Sequence, residues 1–324
     1  MSRTNQAQDL FREAPLDSDG VIVLERDSQM ENQSHTNAAF SEKWQKLEKE
    51  SPQSDAYWQR FQLDWYLKLH GYQDEADLQA ALLRCSLVLD AGCGLGYKAA
   101  WFARLSPDTT VIAMDFSDSE FLAKHRYAHL KNLIFVKGDI AATKLRSGIV
   151  DLVSCDQVLQ HTESPPDTLR EFHRITSATG TLNTYVYAKK ALPRELLDDH
   201  FREASKGMSH EALWEMSQQL THLGRLLSEL HLEIDFPAIP ALGIQGGKQD
   251  LQRFLYWNFI KCFWNEDMGE EASISTNFDW YSPSNAYRYS RQEFLSMCEE
   301  AGWTNSFLHS QQACWSGRFH KAVT

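Results

Sequence analysis

The chain has 324 residues, 43% of them hydrophobic and 12% aromatic, with 32 basic against 44 acidic side chains and a net charge of −12. That length and apolar content supply a sizeable core and exclude a disordered chain. The acidic balance excludes an open nucleic-acid groove, which needs clustered Lys and Arg, and no stretch approaches the roughly 20 apolar residues of a membrane span.

Residues 1–34 are polar apart from Val21-Ile22-Val23-Leu24 and lack the basic-then-apolar layout of a secretory signal. They read as a mobile arm. Cys85, Cys93, Cys155, Cys262, Cys298 and Cys314 contain no CxxC pair. Reduced thiols, a cytoplasmic chain and no cysteine-spaced metal site are therefore expected. Residues 35–85 carry Trp44, Leu47, Tyr57, Trp58, Phe61, Trp65 and Leu67. Their spacing predicts aromatic helices broken at Ser51-Pro52, either packed on the main domain or laid over a ligand as a lid.

Strand and helix signals then alternate over 86–190. Apolar runs at 87–89, 110–114, 133–136, 150–154 and 181–187 are separated by helical patterns at 97–105, 118–129 and 165–176. This predicts an α/β fold with a doubly wound, mostly parallel sheet, whose ligands bind beyond the strand carboxyl ends. Asp90, Asp115, Asp139 and Asp156 all stand at or just past such ends.

Residues 191–289 read as a helical cap insertion. Leu213, Met216, Leu220, Leu223, Leu227 and Leu230 form one helical seam, and 251–264 reads as an aromatic helix that is buried or covers a pocket. Ser290 to Glu293 is a capping box opening a helix that stops at Gly302, and two strands complete the core over 290–324.

The strongest motif is Val88-Leu89-Asp90-Ala91-Gly92-Cys93-Gly94-Leu95-Gly96. A strand entering such a turn brings backbone close to a ligand. A dinucleotide fingerprint would put glycine where Tyr97 stands. Asp90 beside the loop suits a ligand with an ammonium group, and Asp115, nineteen residues past Gly96, is spaced to take ribose hydroxyls. The ligand reads as a nucleoside with a cationic tail.

On these residues the sequence resembles the class I S-adenosylmethionine-dependent methyltransferases over about residues 85–190. The resemblance implies a Rossmann-like methyltransferase fold and S-adenosylmethionine as cofactor. It lays Asp90, Gly92, Gly94 and Gly96 along the methionine part and gives Asp115 the ribose. Phe116 would pack beside the adenine, Asp139 and Ile140 would meet its amino edge, and Asp156 and Gln157 would line the floor near the methionine group. His161 matches a position where many relatives have histidine. Phe40 to Trp44, Phe61 to Trp65, Gly96 to Trp101 and Asn277 to Pro283 also resemble a largely uncharacterised bacterial methyltransferase group with an FDWYSP-type motif, which lends no substrate.

The expected function is methyl transfer by in-line displacement to a small-molecule or amphipathic acceptor, whose nucleophilic atom stays open. A base is needed if that atom must lose a proton. His161 is the candidate, against a purely packing or capping role. Tyr281, or Tyr289, is the candidate for an acceptor-site hydroxyl, against a rigid turn anchored by Trp280. Lys189, Lys190 and Arg194 fit either an anionic acceptor or a solvated surface run. His125 and His129 stand i,i+4 but read as a solvated helix face, so no metal is expected. Two rivals remain: a catalytically silent cofactor-binding subunit that scaffolds a partner, and a nicotinamide-dependent oxidoreductase, against which Tyr97 weighs.

Overall fold

The computed structural model describes residues 9–13, 16–24, 31–47 and 52–322. Strands β1 (Leu16–Ser18) and β2 (Val21–Val23) form a hairpin, and β2 runs parallel to the strand at Leu133–Lys137. Val21 is fully buried. This corrects the arm expected over 1–34: the β-branched run Val21–Val23 fits a pleated strand and pairs between β1 and the Leu133–Lys137 strand. Residues 1–8, 14–15 and 25–30 of that expected arm lie outside the described residues. Helices α1 (Glu31–Leu47), α2 (Pro52–His70) and α3 (Glu75–Leu82) follow, with Ser51 of the expected break outside the described residues.

The alternating segment forms β3 (Leu87–Ala91), α4 (Tyr97–Leu105), β4 (Thr110–Asp115), α5 (Ser119–Tyr127), β5 (Leu133–Lys137), β6 (Val150–Cys155), α6 (Pro165–Ile175) and β7 (Thr176–Ala188). The cap comprises α7 (Leu192–Ser205), α8 (His210–Glu229), the hairpin β8 (Glu233–Phe236) and β9 (Gly247–Asp250), α9 (Leu251–Asn258) and α10 (Gly269–Tyr281). The chain then returns through β10 (Arg288–Tyr289), α11 (Arg291–Glu300), β11 (Trp303–Ser310) and β12 (Cys314–Lys321). Ser290 and Glu293 make the reciprocal capping box at the start of α11.

The sheet runs β1-β2-β5-β4-β3-β6-β7-β12-β11, with β10 also pairing β7. Strands β2 to β7 are mutually parallel, and β12 and β11 close the far edge antiparallel. Period-two alternation sorts each strand between two cores. Leu87, Leu89 and Ala91 face one core with Leu169, Phe172 and Phe294, while Val88 faces the other with Tyr66, Leu78 and Phe102. Strand order reverses between β3 and β6. That crevice is where open α/β sheets bind ligands.

The cap departs from the sequence reading at two places. The aromatic helix expected over 251–264 stops at Asn258, whose side chain donates to the Phe254 carbonyl. Residues 259–264 leave the helical path, and the side chains of Gln252 and Asn277 take over the Cys262 carbonyl and the Phe263 N–H. The leucine seam of α8 coincides only in part with its buried face. Leu213 is buried together with Ser217, Thr221 and Gly224, Met216, Leu220 and Leu227 are half-buried, and Leu223 and Leu230 are exposed. Small residues win here because the chain crosses very close. A Cβ on Gly224 would stand 2.3 Å from the Cys262 carbonyl oxygen. Asn277 of α10 reaches Thr221 Oγ1 at 2.8 Å.

Candidate active site

A cavity of about 660 Å³ opens over the carboxyl ends of β3, β4 and β6 and runs up into the cap. Asn37, Phe40 and Trp44 of α1 and Phe61, Gln62 and Trp65 of α2 wall it on one side. Of the residues singled out in the sequence, Gly92, Gly94, Asp115, Phe116, Asp139, Ile140, Asp156, Gln157 and His161 line it. Asp90, Gly96 and Tyr281 do not.

The glycine turn has a positive-φ backbone at Gly92 and Gly94. At Gly94, φ is +53° and a Cβ would meet the Trp44 ring at 2.7 Å, so only glycine serves there. Asp115 is oriented by the same turn. One carboxylate oxygen accepts from the Gly94 N–H at 2.9 Å, the other from the Ser117 N–H at 2.9 Å and its hydroxyl at 2.6 Å. An ionised carboxylate offers about four acceptor positions, so capacity remains for a ligand hydroxyl. Asp139 is held by the Ala141 N–H at 2.8 Å.

Asp90 lies under the turn, 1% exposed, with Oδ2 lacking any hydrogen-bond partner. Burial pushes its carboxyl up to about 7 against the pull of Lys98, and Asp156 and Asp115 push the same way. Asp156 is the opposite case. Lys98 Nζ at 2.6 Å and His70 Nε2 at 3.3 Å hold it well below the usual carboxylate range despite complete burial. Next to it, Gln157 has φ +65°, a left-handed backbone that side chains rarely adopt. Its amide donates to Gln62 at 2.9 Å and to Asp156 at 3.1 Å. Strain of this kind persists where surrounding contacts over-determine it, as functional sites do.

His161 ends a short 3-10 turn, Leu159–His161, just past β6. Its Nδ1 stands 2.7 Å from the Asn285 carbonyl, which can only accept, so the proton sits on Nδ1. Nε2 therefore accepts from the Tyr187 hydroxyl at 3.2 Å. Tyr187 also lines the cavity, and burial raises its pKa, keeping it a phenol. Tyr281, expected to offer a hydroxyl to the acceptor, instead donates to Asp198 at 2.9 Å inside the cap. Tyr289 packs against the main core, away from the lining. From the same motif, Asp279 and Trp280 are the residues that reach the cavity.

Sequence reasoning passed over Lys98, His70 and Tyr187. Lys98 carried the clearest signal, a cation in the first turn of an otherwise mostly apolar helix, two residues past the last glycine of the turn. Of the three cations that fit either an anionic acceptor or a solvated run, Lys190 and Arg194 line the cavity, and Lys189 is exposed and paired with Glu293 at 2.6 Å. Among the described residues no helix is long and apolar enough to cross a membrane.

Residues 89–183 match a family described as a methyltransferase domain. An uncharacterized chloroplastic methyltransferase of Arabidopsis thaliana is 30% identical over 129 residues, 36% of this chain and 36% of that protein. A malonyl-(acyl-carrier protein) O-methyltransferase of Pectobacterium atrosepticum is 34% identical over 95 residues, 29% of this chain and 36% of that one. The match thus spans just over a third of the length of these curated relatives. A crystal structure of a SAM dependent methyltransferase from Aquifex aeolicus is 14% identical, covering 78% of this chain and 90% of that one, with a TM-score of 0.41.

Proposed function

We propose, from the premise that residues 89–183 form a methyltransferase domain, that this chain transfers a methyl group from S-adenosylmethionine to a small acceptor bound under the cap. The observation that carries the reading is the Asp115 carboxylate, fastened by the glycine turn and facing the cavity. The residues fit the cofactor. Three acids on the cavity wall, Asp115, Asp139 and Asp156, suit a cationic nucleoside, and the buried Asp90 under the turn, its Oδ2 unpartnered, adds negative potential beneath them. Asp115 would take the ribose hydroxyls, Phe116 would pack beside the adenine, Asp139 and Ile140 would meet its amino edge, and Asp156 with Gln157 would line the methionine end.

The sulfonium supplies an activated methyl carbon, so the protein mainly aligns the nucleophile and excludes water. The aromatic walls Phe40, Trp44 and Trp65 do the excluding. Where the acceptor must lose a proton, Tyr187 and His161 form the route. The acceptor proton passes to the Tyr187 oxygen as the Tyr187 proton passes to His161 Nε2, and the Asn285 carbonyl steadies the resulting imidazolium through Nδ1.

The test is mass spectrometry of small molecules released on denaturing the purified protein, with S-adenosylmethionine titrated onto wild type and Asp115→Ala. Bound cofactor or its demethylated product, with affinity lost in the variant, supports the reading. Absence of both, or equal binding by the variant, overturns it. His161→Ala should then lower turnover with cofactor affinity intact.

A further inference from the structure

The cap end of the cavity has a different chemistry from the rim. Lys190, Arg194, Arg253 and Lys261 line it together with Trp257 and Trp280. Arg194 is neutralised by Asp198 at 2.8 Å. The other three cations have no ion pair among the described residues. Lys261 is 5% exposed and donates to the Tyr256 hydroxyl at 3.0 Å. Lys190 donates to the carbonyls of Ala188 and Ala313. Both ammonium groups lie against one indole, 4.8 Å and 5.6 Å from the centroid of Trp280. The guanidinium of Arg253 stands over the rings of Tyr256 and Phe263, 5.8 Å from each centroid. Asp279 is the acid that shares this part of the wall.

Buried ammonium groups are costly unless an anion compensates them, and ring faces return only part of that cost. Like charges crowded on one ring add repulsion, and burial together with Arg194 and Lys261 lowers Lys190 to about 7. Such an arrangement is stable in the presence of a negative group between the cations. The rim acids stand at the other end of the same cavity, so an anion entering it is drawn to the cap.

We propose that this end of the cavity is an acceptor subsite for an anionic group carried on a flat apolar body, with Lys190, Lys261 and Arg253 holding the anion and the half-buried Trp257 side of the wall holding the body. The assignment rests on the methyl-transfer reading for calling the ligand an acceptor. The anion chemistry stands on the cap residues themselves. A carboxylate and a phosphate monoester share it.

The experiment uses the full chain and three probes of one shape: 1-naphthoate, 1-naphthyl phosphate and the neutral 1-naphthamide, each titrated by calorimetry. S-adenosylhomocysteine is titrated in parallel. The expected result is that at least one anion binds about tenfold or more tighter than the amide, the better anion identifying the group. Lys261→Met should remove most of that preference while S-adenosylhomocysteine affinity is kept, and Arg253→Gln serves the same purpose should the first variant fail to fold. Equal binding of amide and anions, or an anion preference that survives both substitutions, overturns the proposal. Loss of S-adenosylhomocysteine binding with anion preference retained would instead sink the methyl-transfer reading and leave the anion subsite standing.

Discussion

Asp156 and Lys261 are both buried charges on the wall of one cavity, and they are held in opposite ways. Asp156 is met by Lys98 and His70, and its neighbours Asp115 and Asp139 are likewise fastened by backbone donors and, at Asp115, by the Ser117 hydroxyl. Lys261 is met by a phenol and three ring faces, with no carboxylate among the described residues. The rim is thus electrostatically complete within the chain, except for Asp90. The cap is not. A charge completed by the fold serves the fold as well as the ligand, whereas one left open serves mainly what enters.

The largest expected effect comes from breaking that difference directly. Asp156→Asn strands Lys98 beside an amide and should cost about 3–5 kcal/mol of stability, the usual consequence of removing one member of a buried pair. Lys261→Met removes a charge that no ion pair holds, so its unfolding midpoint in urea should stay unchanged or rise. Equal losses from the two variants would show that the two ends are held alike after all.

Gly94→Ala tests the rim from the backbone side. A φ of +53° and a Trp44 ring 2.7 Å from the added methyl should together cost about 1–3 kcal/mol and weaken S-adenosylhomocysteine binding. Thermal unfolding with and without the ligand separates the two losses.

A pH titration sharpens the cap side. Lys190 faces Arg194, Lys261, Glu195 and Cys314, with the rings of Trp257 and Trp280. The Cys314 thiol is pushed up to about 12 by burial and stays protonated. The net surroundings disfavour the ammonium, and Lys190 loses its proton near pH 7 in the ligand-free chain. An anion binds the protonated form better, so naphthoate affinity should fall as pH rises through 7, by up to about tenfold per unit for one linked proton. Naphthamide affinity should stay flat, and Lys190→Met should flatten the naphthoate profile. A pH-independent naphthoate affinity in wild type would remove Lys190 from the subsite.

The rim was legible in the sequence because its chemistry is local. A strand, a glycine turn and an acid at the next strand end occupy a fixed spacing, and the parallel sheet brings successive strand ends together. The cap was not, because its chemistry is tertiary. Lys190 follows β7, Lys261 follows α9 and Trp280 ends α10, and nothing in their spacing announces that they share one ring. Tyr281 was misplaced for a related reason. The motif around it is aromatic on consecutive positions, and consecutive helical residues point apart, so Trp280 faces the cavity while Tyr281 turns to Asp198.

The smallest expected effect lies on α8, where periodicity pointed only in part to the buried face. Leucines at 3–4 spacing predict burial only when no closer neighbour needs another side of the helix. Here the Cys262 carbonyl and Asn277 claim the stripe of Ser217, Thr221 and Gly224. A larger side chain at Gly224 would collide with the Cys262 carbonyl, and Thr221 meets the Asn277 amide at 2.8 Å, so the close crossing selects small residues on this face. Ser217 and Thr221 also return their hydroxyls to carbonyls one turn back, at 2.8 Å each, which keeps the stripe free of unmet donors. Leu223→Ser and Leu230→Ser, 38% and 54% exposed in the native chain, should therefore each lower the stability measured by urea unfolding by no more than about 0.5 kcal/mol. A loss of about 2 kcal/mol or more from either would restore the leucine seam as a buried face and make the small-residue stripe the exception to explain.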